Sequence, residues 1–294
     1  MRRTEFMGAS AGAFAALSSA ALSRLAIAQD AAAASPFLQL ERRYGGRLGV
    51  DAFDTQTGRS LGYREHERFP MCSTFKFFLV AAVLAKVQSG ALKRNQWVSY
   101  GAADLLEYAP VTRANLSKGG MRVDALCAAA IELSDNTAAN LLLSLVGGPA
   151  GATKYVRGLG DEVTRLDRRE PELNSAIPGD PRDTTAPLAM RTLMNAILFG
   201  PGLTRQNAGR LIGWMLECQT GYDRLRAGFP PTWKVGDKTG NGGSRATNDI
   251  AVAWPPGRKP LLIAAYYVGS TASSAELANA FKAIARHVTR GLMA

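Results

Sequence analysis

The sequence predicts an α+β fold, an α/β/α sandwich whose antiparallel sheet is formed from both chain termini and covered by helices, with an all-helical subdomain inserted between. Three observations predict it. Strand-type runs occur only near the two ends, the middle reads as a succession of helices, and an amphipathic helix closes the chain. One domain is expected over residues 29–294, with the α/β part at about 29–71 and 216–294 and the helical part at about 72–215.

Residues 1–28 are set apart from that fold. Arg2 and Arg3 precede an Ala/Gly/Ser-rich apolar stretch that ends in Ala26, Ile27 and Ala28, the small-x-small pattern of a signal-peptidase site. The paired arginines resemble a twin-arginine signal, although Phe6 sits one position later than that pattern places it. Arg24 and the many small residues leave too little continuous apolar length for a membrane helix, so no anchor is expected once the signal is cleaved.

"AAAASPFLQLERRYG" then reads as a helix stopping near Gly45 and Gly46, and "RLGVDAFDTQTGRSLGYRE" alternates apolar and polar residues around a turn, a hairpin signature. "FKFFLVAAVLAKVQSG" is apolar on every face and so predicts a buried central helix ending at Gly90. "MRVDALCAAAIEL" and "TAANLLLSLVGG" are two more helices, separated by the polar elbow "SDN". Residues 161–187 lose all periodicity and carry four prolines; a loop of that length in a compact domain is functional or disordered. Helices resume in "PLAMRTLMNAILFG" and "QNAGRLIGWMLECQTG". Three β-type runs follow, "KVGDKTGNG", "NDIAVAWPP" and "PLLIAAYYVG", before the helix "SSAELANAFKAIARHVTRGL".

Composition narrows the function classes. Of the 294 residues 47% are hydrophobic, enough for a sizeable core, and the formal charge of +11 becomes +9 without residues 1–28, which hold three Arg and one Glu. The basic residues are scattered, with no aromatic interleaving, which excludes nucleic acid as the expected partner and leaves a field that favours anionic small molecules. Three cysteines, Cys72, Cys127 and Cys218, leave at least one free thiol, and no CxxC spacing occurs. The two histidines, His66 in "REHER" and His287 on the last helix, read as surface polar residues, so neither a Ser-His-Asp triad nor a histidine-rich zinc site is expected. "GASAG", residues 8–12, matches a nucleophile-elbow pattern but lies in the leader.

A hydrolase without histidine activates its nucleophile with lysine or carboxylate. Ser73 and Lys76, three apart at a helix start, share a face at about 5–6 Å between Cβ atoms. The helix N-terminus favours developing negative charge at Ser73. S-x-x-K alone also fits a helix-start serine with a snorkelling lysine. Lys76, however, stands in an otherwise apolar helix, where a buried amine needs partners or a depressed pKa. "SDN", Ser134–Asn136, and "KTG", Lys238–Gly240, complete the set S-x-x-K, S-D-N, K-T-G that marks class A β-lactamases and penicillin-binding proteins.

With those motifs in order, the whole mature chain resembles a class A serine β-lactamase. "RREPELN" matches the family's omega loop, with Glu170 and Asn174 in its E-x-x-x-N. The resemblance implies Ser73 as nucleophile, Lys76 as partner in proton transfer, Ser134 as proton relay to the departing β-lactam nitrogen, and Glu170 as activator of the hydrolytic water. Whether Lys76 or Glu170 is the acylation base stays open. It further implies that Asn136 holds the substrate's side-chain amide, that Lys238 and Thr239 of the Lys238-Thr239-Gly240 motif hold its carboxylate, and that Tyr108 in "LLEYAPV" walls the cleft. The backbone N–H groups of Ser73 and Asn241 would form an oxyanion hole, where losing one donor costs about 100- to 1000-fold in rate. Arg224, in "YDRLRAG", matches an extra carboxylate-binding arginine that other members place on the strand after KTG, where this chain has Thr247.

Arg168 and Asp183 match a pair that closes the neck of the loop, and Glu170-Pro171 a cis peptide bond. The resemblance implies no metal or organic cofactor, a β-lactam as the small-molecule partner, and a periplasmic monomer. Two departures stand out. Cys127 matches half of a common family disulfide whose partner position is Val80 here. Cys72 matches half of a bridge found in carbapenem-hydrolysing members, but the partner position is Gly242. Two other readings share Ser73, Lys76, SDN and KTG or none of them: a transpeptidase or β-lactam sensor that is acylated without turnover, and a non-enzymatic basic protein that penicillin does not label.

Overall fold

The computed structural model describes residues 35–294; the expected export signal lies outside the described residues. The chain enters through α1 (Pro36–Tyr44), which starts on a proline at its first turn and buries Phe37 and Leu40. It continues into the expected hairpin, β1 (Arg47–Asp54) and β2 (Ser60–Tyr63). Asp54 closes the turn, accepting from Gln56 N at 2.9 Å and Thr57 Oγ1 at 2.9 Å.

A five-stranded antiparallel sheet, in the order β2-β1-β9-β8-β7, joins that hairpin to β7 (Lys234–Gly242), β8 (Ala246–Trp254) and β9 (Leu261–Val268) from the far end of the chain. Both faces are buried, so β8 and β9 read as continuous apolar runs, and alternation assigns their side chains to two cores. Ile250, Val252, Leu262, Ala264 and Tyr266 pack toward the helical layer. Ala251, Ala253, Ile263, Ala265 and Tyr267 meet Leu48 and Val50 of β1, with Phe281, Ile284 and Val288 of α9 (Ser274–Met293). Each such aromatic or branched side chain contributes about 1.5–3 kcal/mol on burial. A capping box fixes where α9 starts: Glu276 N donates to Ser273 Oγ at 3.3 Å, and Ser273 N to Glu276 Oε2 at 2.8 Å.

Between the halves of the sheet lie α2 (Lys76–Gln88), α3 (Pro110–Ala114), α4 (Val123–Glu132), α5 (Asn136–Val146), α6 (Gly148–Gly158), α7 (Pro187–Leu198) and α8 (Arg205–Leu216). Every residue of α2 from Lys76 to Leu84 is buried, as its lack of a polar face predicts. Helix α6 was not legible: its "GPAGATKYVRG" is rich in residues that disfavour helices, and packing of Ala152 and Val156 overrides that preference. The expectation that strands occur only near the chain ends needs correction. Two short ribbons lie among the helices, β4 (Trp97–Ser99) with β5 (Gly120–Arg122), and β3 (Phe69–Pro70) with β6 (Thr184–Thr185). Two or three residues are too few to show a period.

The 161–187 loop is ordered by polar ties at its neck. Arg168 Nε donates to Asp183 Oδ2 at 2.6 Å. Asp183 Oδ1 accepts from Asp167 N at 2.7 Å and Arg168 N at 3.0 Å, while Asp183 N returns a bond to Asp167 Oδ2 at 3.0 Å. Glu170-Pro171 is cis. Leu173 and Ala176 anchor the loop's apolar side. No helix among the described residues is long and apolar enough to cross a membrane.

Candidate active site

Three segments converge where the helical layer meets the exposed edge of β7. The first is a 3-10 turn, Cys72–Phe75, that runs into α2, so Ser73 stands one turn earlier than a plain α-helical start would place it. Cys72 holds a left-handed φ of 46°, unusual for a residue with a side chain. External bonds fix the turn: Met71 N donates to Asp183 O at 2.9 Å, and Asn248 Nδ2 to Pro70 O at 2.8 Å and Met71 O at 3.0 Å.

The second segment is the elbow between α4 and α5. Ser134 has φ 58°, and the fully buried Asp135 pins it there. Asp135 caps α5 by accepting from Ala138 N at 2.8 Å, and its other oxygen accepts from Val111 N at 3.0 Å and Thr112 N at 2.9 Å. The elbow thereby turns Ser134 O and Asn136 Oδ1 toward Lys76, whose Nζ lies 2.8 and 2.6 Å from them.

Lys76 is fully buried at the centre. Its Nζ is also 3.1 Å from Ser73 Oγ, 2.9 Å from Glu170 Oε1 and 3.4 Å from Ser134 Oγ. An ammonium has three protons and cannot serve all of these oxygens at once. Burial pushes its pKa below the ordinary lysine value, against the opposing pull of Glu170. A neutral amine can accept the Ser73 proton, and a charged one can return it.

Glu170 arrives from the loop, its Oε1 3.4 Å from Ser73 Oγ. Asn174 Nδ2 donates to its other carboxylate oxygen. Its backbone is clamped by Asn140, which lies one turn along α5 from Asn136 and so on the same face. Glu170 N donates to Asn140 Oδ1 at 3.0 Å and Asn140 Nδ2 to Glu170 O at 2.9 Å. The sequence reading missed Asn140, although the i, i+4 spacing from Asn136 was the available signal.

The third segment is β7. KTG sits in the middle of this strand. A Cβ on Gly240 would stand 2.8 Å from Met71 O and 3.2 Å from Ser73 N, so only glycine lets the strand edge lie against the serine turn. Lys238 is fully buried, and its Nζ donates to Ser134 Oγ at 3.0 Å and Thr239 O at 2.8 Å. Burial, joined by the charge of Lys76, lowers its pKa to about 8. Thr239 Oγ1 lies 2.6 Å from Thr220 Oγ1, a cleft residue that no motif announced.

Above these groups opens a cleft of about 230 Å³, lined by Ser73, Ser134, Asn136 and Asn241 among others and walled by the half-exposed Tyr108. A larger cavity of about 510 Å³ lies behind the loop, beside Leu173 and Ile177, and contains none of the chemical groups. Volume alone does not single out the chemical groups. Arg224 reaches the cleft's rim and donates to Asn241 Oδ1 at 2.7 Å. The expected residues therefore meet in one place, except Arg168 and Asp183, which act at the loop neck.

All three cysteines are buried and free. A Cβ at Gly242 would lie 2.6 Å from Cys72 Sγ, so the position beside that thiol is occupied by a residue that cannot bridge to it. Burial pushes the Cys72 thiol up to about 12. A thiol of that pKa stays protonated at neutral pH and is a poor nucleophile.

Residues 32–292 match a family described as the beta-lactamase enzyme family. The carbapenem-hydrolyzing beta-lactamase KPC of Klebsiella oxytoca is 47% identical over 79% of this chain and 80% of its own. Beta-lactamase AST-1 of Nocardia asteroides is 47% identical over 81% and 76%. Among solved structures, a class A beta-lactamase of the last common ancestor of Gram-negative bacteria superposes with a TM-score of 0.86 at 51% identity, covering 87% of this chain and 97% of its own. A putative class A beta-lactamase from Rhodopseudomonas palustris gives 0.85 at 48% identity, covering 87% and 98%. Fold, motif order and relatives agree over nearly the whole described chain: it belongs to the beta-lactamase enzyme family and, within that family, to class A.

Proposed function

We propose that this β-lactamase opens the β-lactam amide through an acyl-enzyme on Ser73, with Glu170 carrying the hydrolytic half. The observation that carries the reading is the contact among Ser73, Lys76 and Glu170, which presents two proton acceptors to one hydroxyl: Lys76 Nζ at 3.1 Å and Glu170 Oε1 at 3.4 Å. Because those acceptors also touch each other at 2.9 Å, the proton is assigned to the pair.

Ser73 Oγ attacks the β-lactam carbonyl carbon as its proton passes to the Lys76–Glu170 pair. The N–H groups of Ser73 and Asn241 receive the developing oxyanion. The C–N bond then breaks, and Ser134 Oγ, poised between Lys76 at 3.4 Å and Lys238 at 3.0 Å, delivers a proton to the departing nitrogen and is reprotonated through them. In the second half, Glu170 takes a proton from a water that attacks the ester carbonyl, with Asn174 and Asn136 orienting the participants; Ser73 Oγ leaves with a proton returned by the pair. Lys238, Thr239 and Arg224 hold the substrate carboxylate, and Tyr108 covers the ring.

Penicillins and cephalosporins are the proposed substrates. Carbapenems are an extension supported by the name of the KPC relative, without help from Cys72, which has no bridge. Residues 29–294 are proposed to work as one monomeric, periplasmic unit after cleavage of an export signal, without a metal or organic cofactor. Turnover of a chromogenic cephalosporin by the purified chain, with Ser73→Ala as control, tests the reading: rapid hydrolysis abolished in the variant is expected. A stoichiometric adduct on Ser73 without turnover would replace it with a transpeptidase or sensor.

A further inference from the structure

Arg224 precedes the 3-10 turn Leu225–Gly228 and crosses over the β7–β8 pair. Its Nη1 donates to Asn248 O at 2.7 Å and Gly240 O at 3.4 Å, and its Nη2 to Asn241 Oδ1 at 2.7 Å. All three acceptors are uncharged, and Arg224 forms no ion pair among the described residues. The buried Asp249 sets the turn from below, its Oδ2 accepting from Leu225 N at 3.1 Å. The two backbone contacts dock one edge of the guanidinium on the sheet. Nη2 is covered by Asn241, which lines the cleft.

Asn241 lines the cleft and is exposed. A guanidinium only donates, so the Asn241 amide must turn its oxygen to Arg224 and its Nδ2 away. An anionic substrate group that seeks Arg224 therefore meets a position already held by a neutral acceptor.

We infer that Asn241 is a specificity-determining residue whose side-chain oxygen masks Arg224 in the free enzyme and must be displaced by the carboxylate of an anionic substrate. The exchange replaces a neutral acceptor with a charged one, and charge-assisted bonds are about twice as strong as neutral ones. It is favourable for a carboxylate and yields nothing for an uncharged ligand. The mask lowers the advantage of anionic over neutral substrates compared with a bare arginine. This rests on the hydrolase reading, within which the backbone N–H of Asn241 serves the oxyanion whatever the side chain is.

The test compares kcat/KM for a chromogenic cephalosporin and its methyl ester in the parent chain, Asn241→Ala, Asn241→Asp, Arg224→Ala and the Asn241→Ala/Arg224→Ala double variant. Removing the mask is expected to raise kcat/KM for the acid by about fivefold, the equivalent of one net hydrogen bond. The ester changes less. Asn241→Asp, which ties Arg224 to a fixed carboxylate, lowers the value for the acid. In the Arg224→Ala background the Asn241→Ala effect disappears.

Two results would overturn the inference. One is an Asn241→Ala effect that persists without Arg224 or is equal for acid and ester. The other is a loss for the acid as large as that of Arg224→Ala, which would make Asn241 a direct substrate ligand. Absence of turnover in the parent chain is a distinct outcome, which removes the hydrolase reading itself and the inference with it.

Discussion

Lys238 links a single ionisation to function. Its pKa is lowered to about 8 by burial, so the folded chain releases this proton while an unfolded chain holds it to about 10.4. Below pH 8 the side chain is a buried cation donating to Ser134 Oγ, which lines the cleft; as pH rises through about 8 the charge is lost. Affinity for a carboxylate-bearing substrate is therefore expected to fall across that window, measured as a rise in KM. The Lys238→Arg variant, charged throughout, should lack that limb. Between about 8 and 10.4 the unfolded state binds more protons, so this residue's contribution to stability rises with pH there. Single residues were the scale most legible in the sequence. Ser73, Lys76, Ser134, Lys238 and Glu170 sit in motifs whose spacing is set by one helix turn, one elbow, one strand and one loop.

At the scale of elements the sequence was less complete. The central helix declared itself because every position is apolar, and the hairpin because its pattern alternates. Some residues that tie elements together were announced by no motif. Asn140 and Thr220 are polar residues whose partners are far apart in sequence, and no local period records a contact of 30 residues' separation, as between Asn140 and Glu170. Those ties decide how the loop presents its glutamate. Asn140→Ala removes both bonds on the Glu170 backbone, and a loss of about 2 kcal/mol in stability is expected. Its functional signature is a deacylation rate that falls more than the acylation rate, read by pre-steady-state burst kinetics. Equal losses in both steps would place Asn140 outside the loop's control.

For the whole molecule, the order of strands and helices was enough to give the three layers, since a sheet made from both ends of a chain forces the middle to pack on one face. Which strand residues face which layer required the register. The short ribbons were hidden because two or three residues show no period, and α6 because tertiary packing overrides weak local preference. The chain also holds together without a covalent brace: each of its three cysteines is buried and free. Its thermal midpoint is accordingly expected to be the same with and without a thiol reductant. A drop in the midpoint on reduction would reveal a bridge that contradicts this packing.

The central claim is that Glu170 serves the second half of a two-step reaction begun by Ser73. Time-resolved intact-mass spectrometry of the Glu170→Ala variant mixed with a penicillin tests it most directly. The account predicts that a covalent adduct on Ser73 builds up and persists, while the parent chain returns to its free mass as the penicillin is consumed. Rapid, complete turnover by the variant, with no adduct detected, would contradict it.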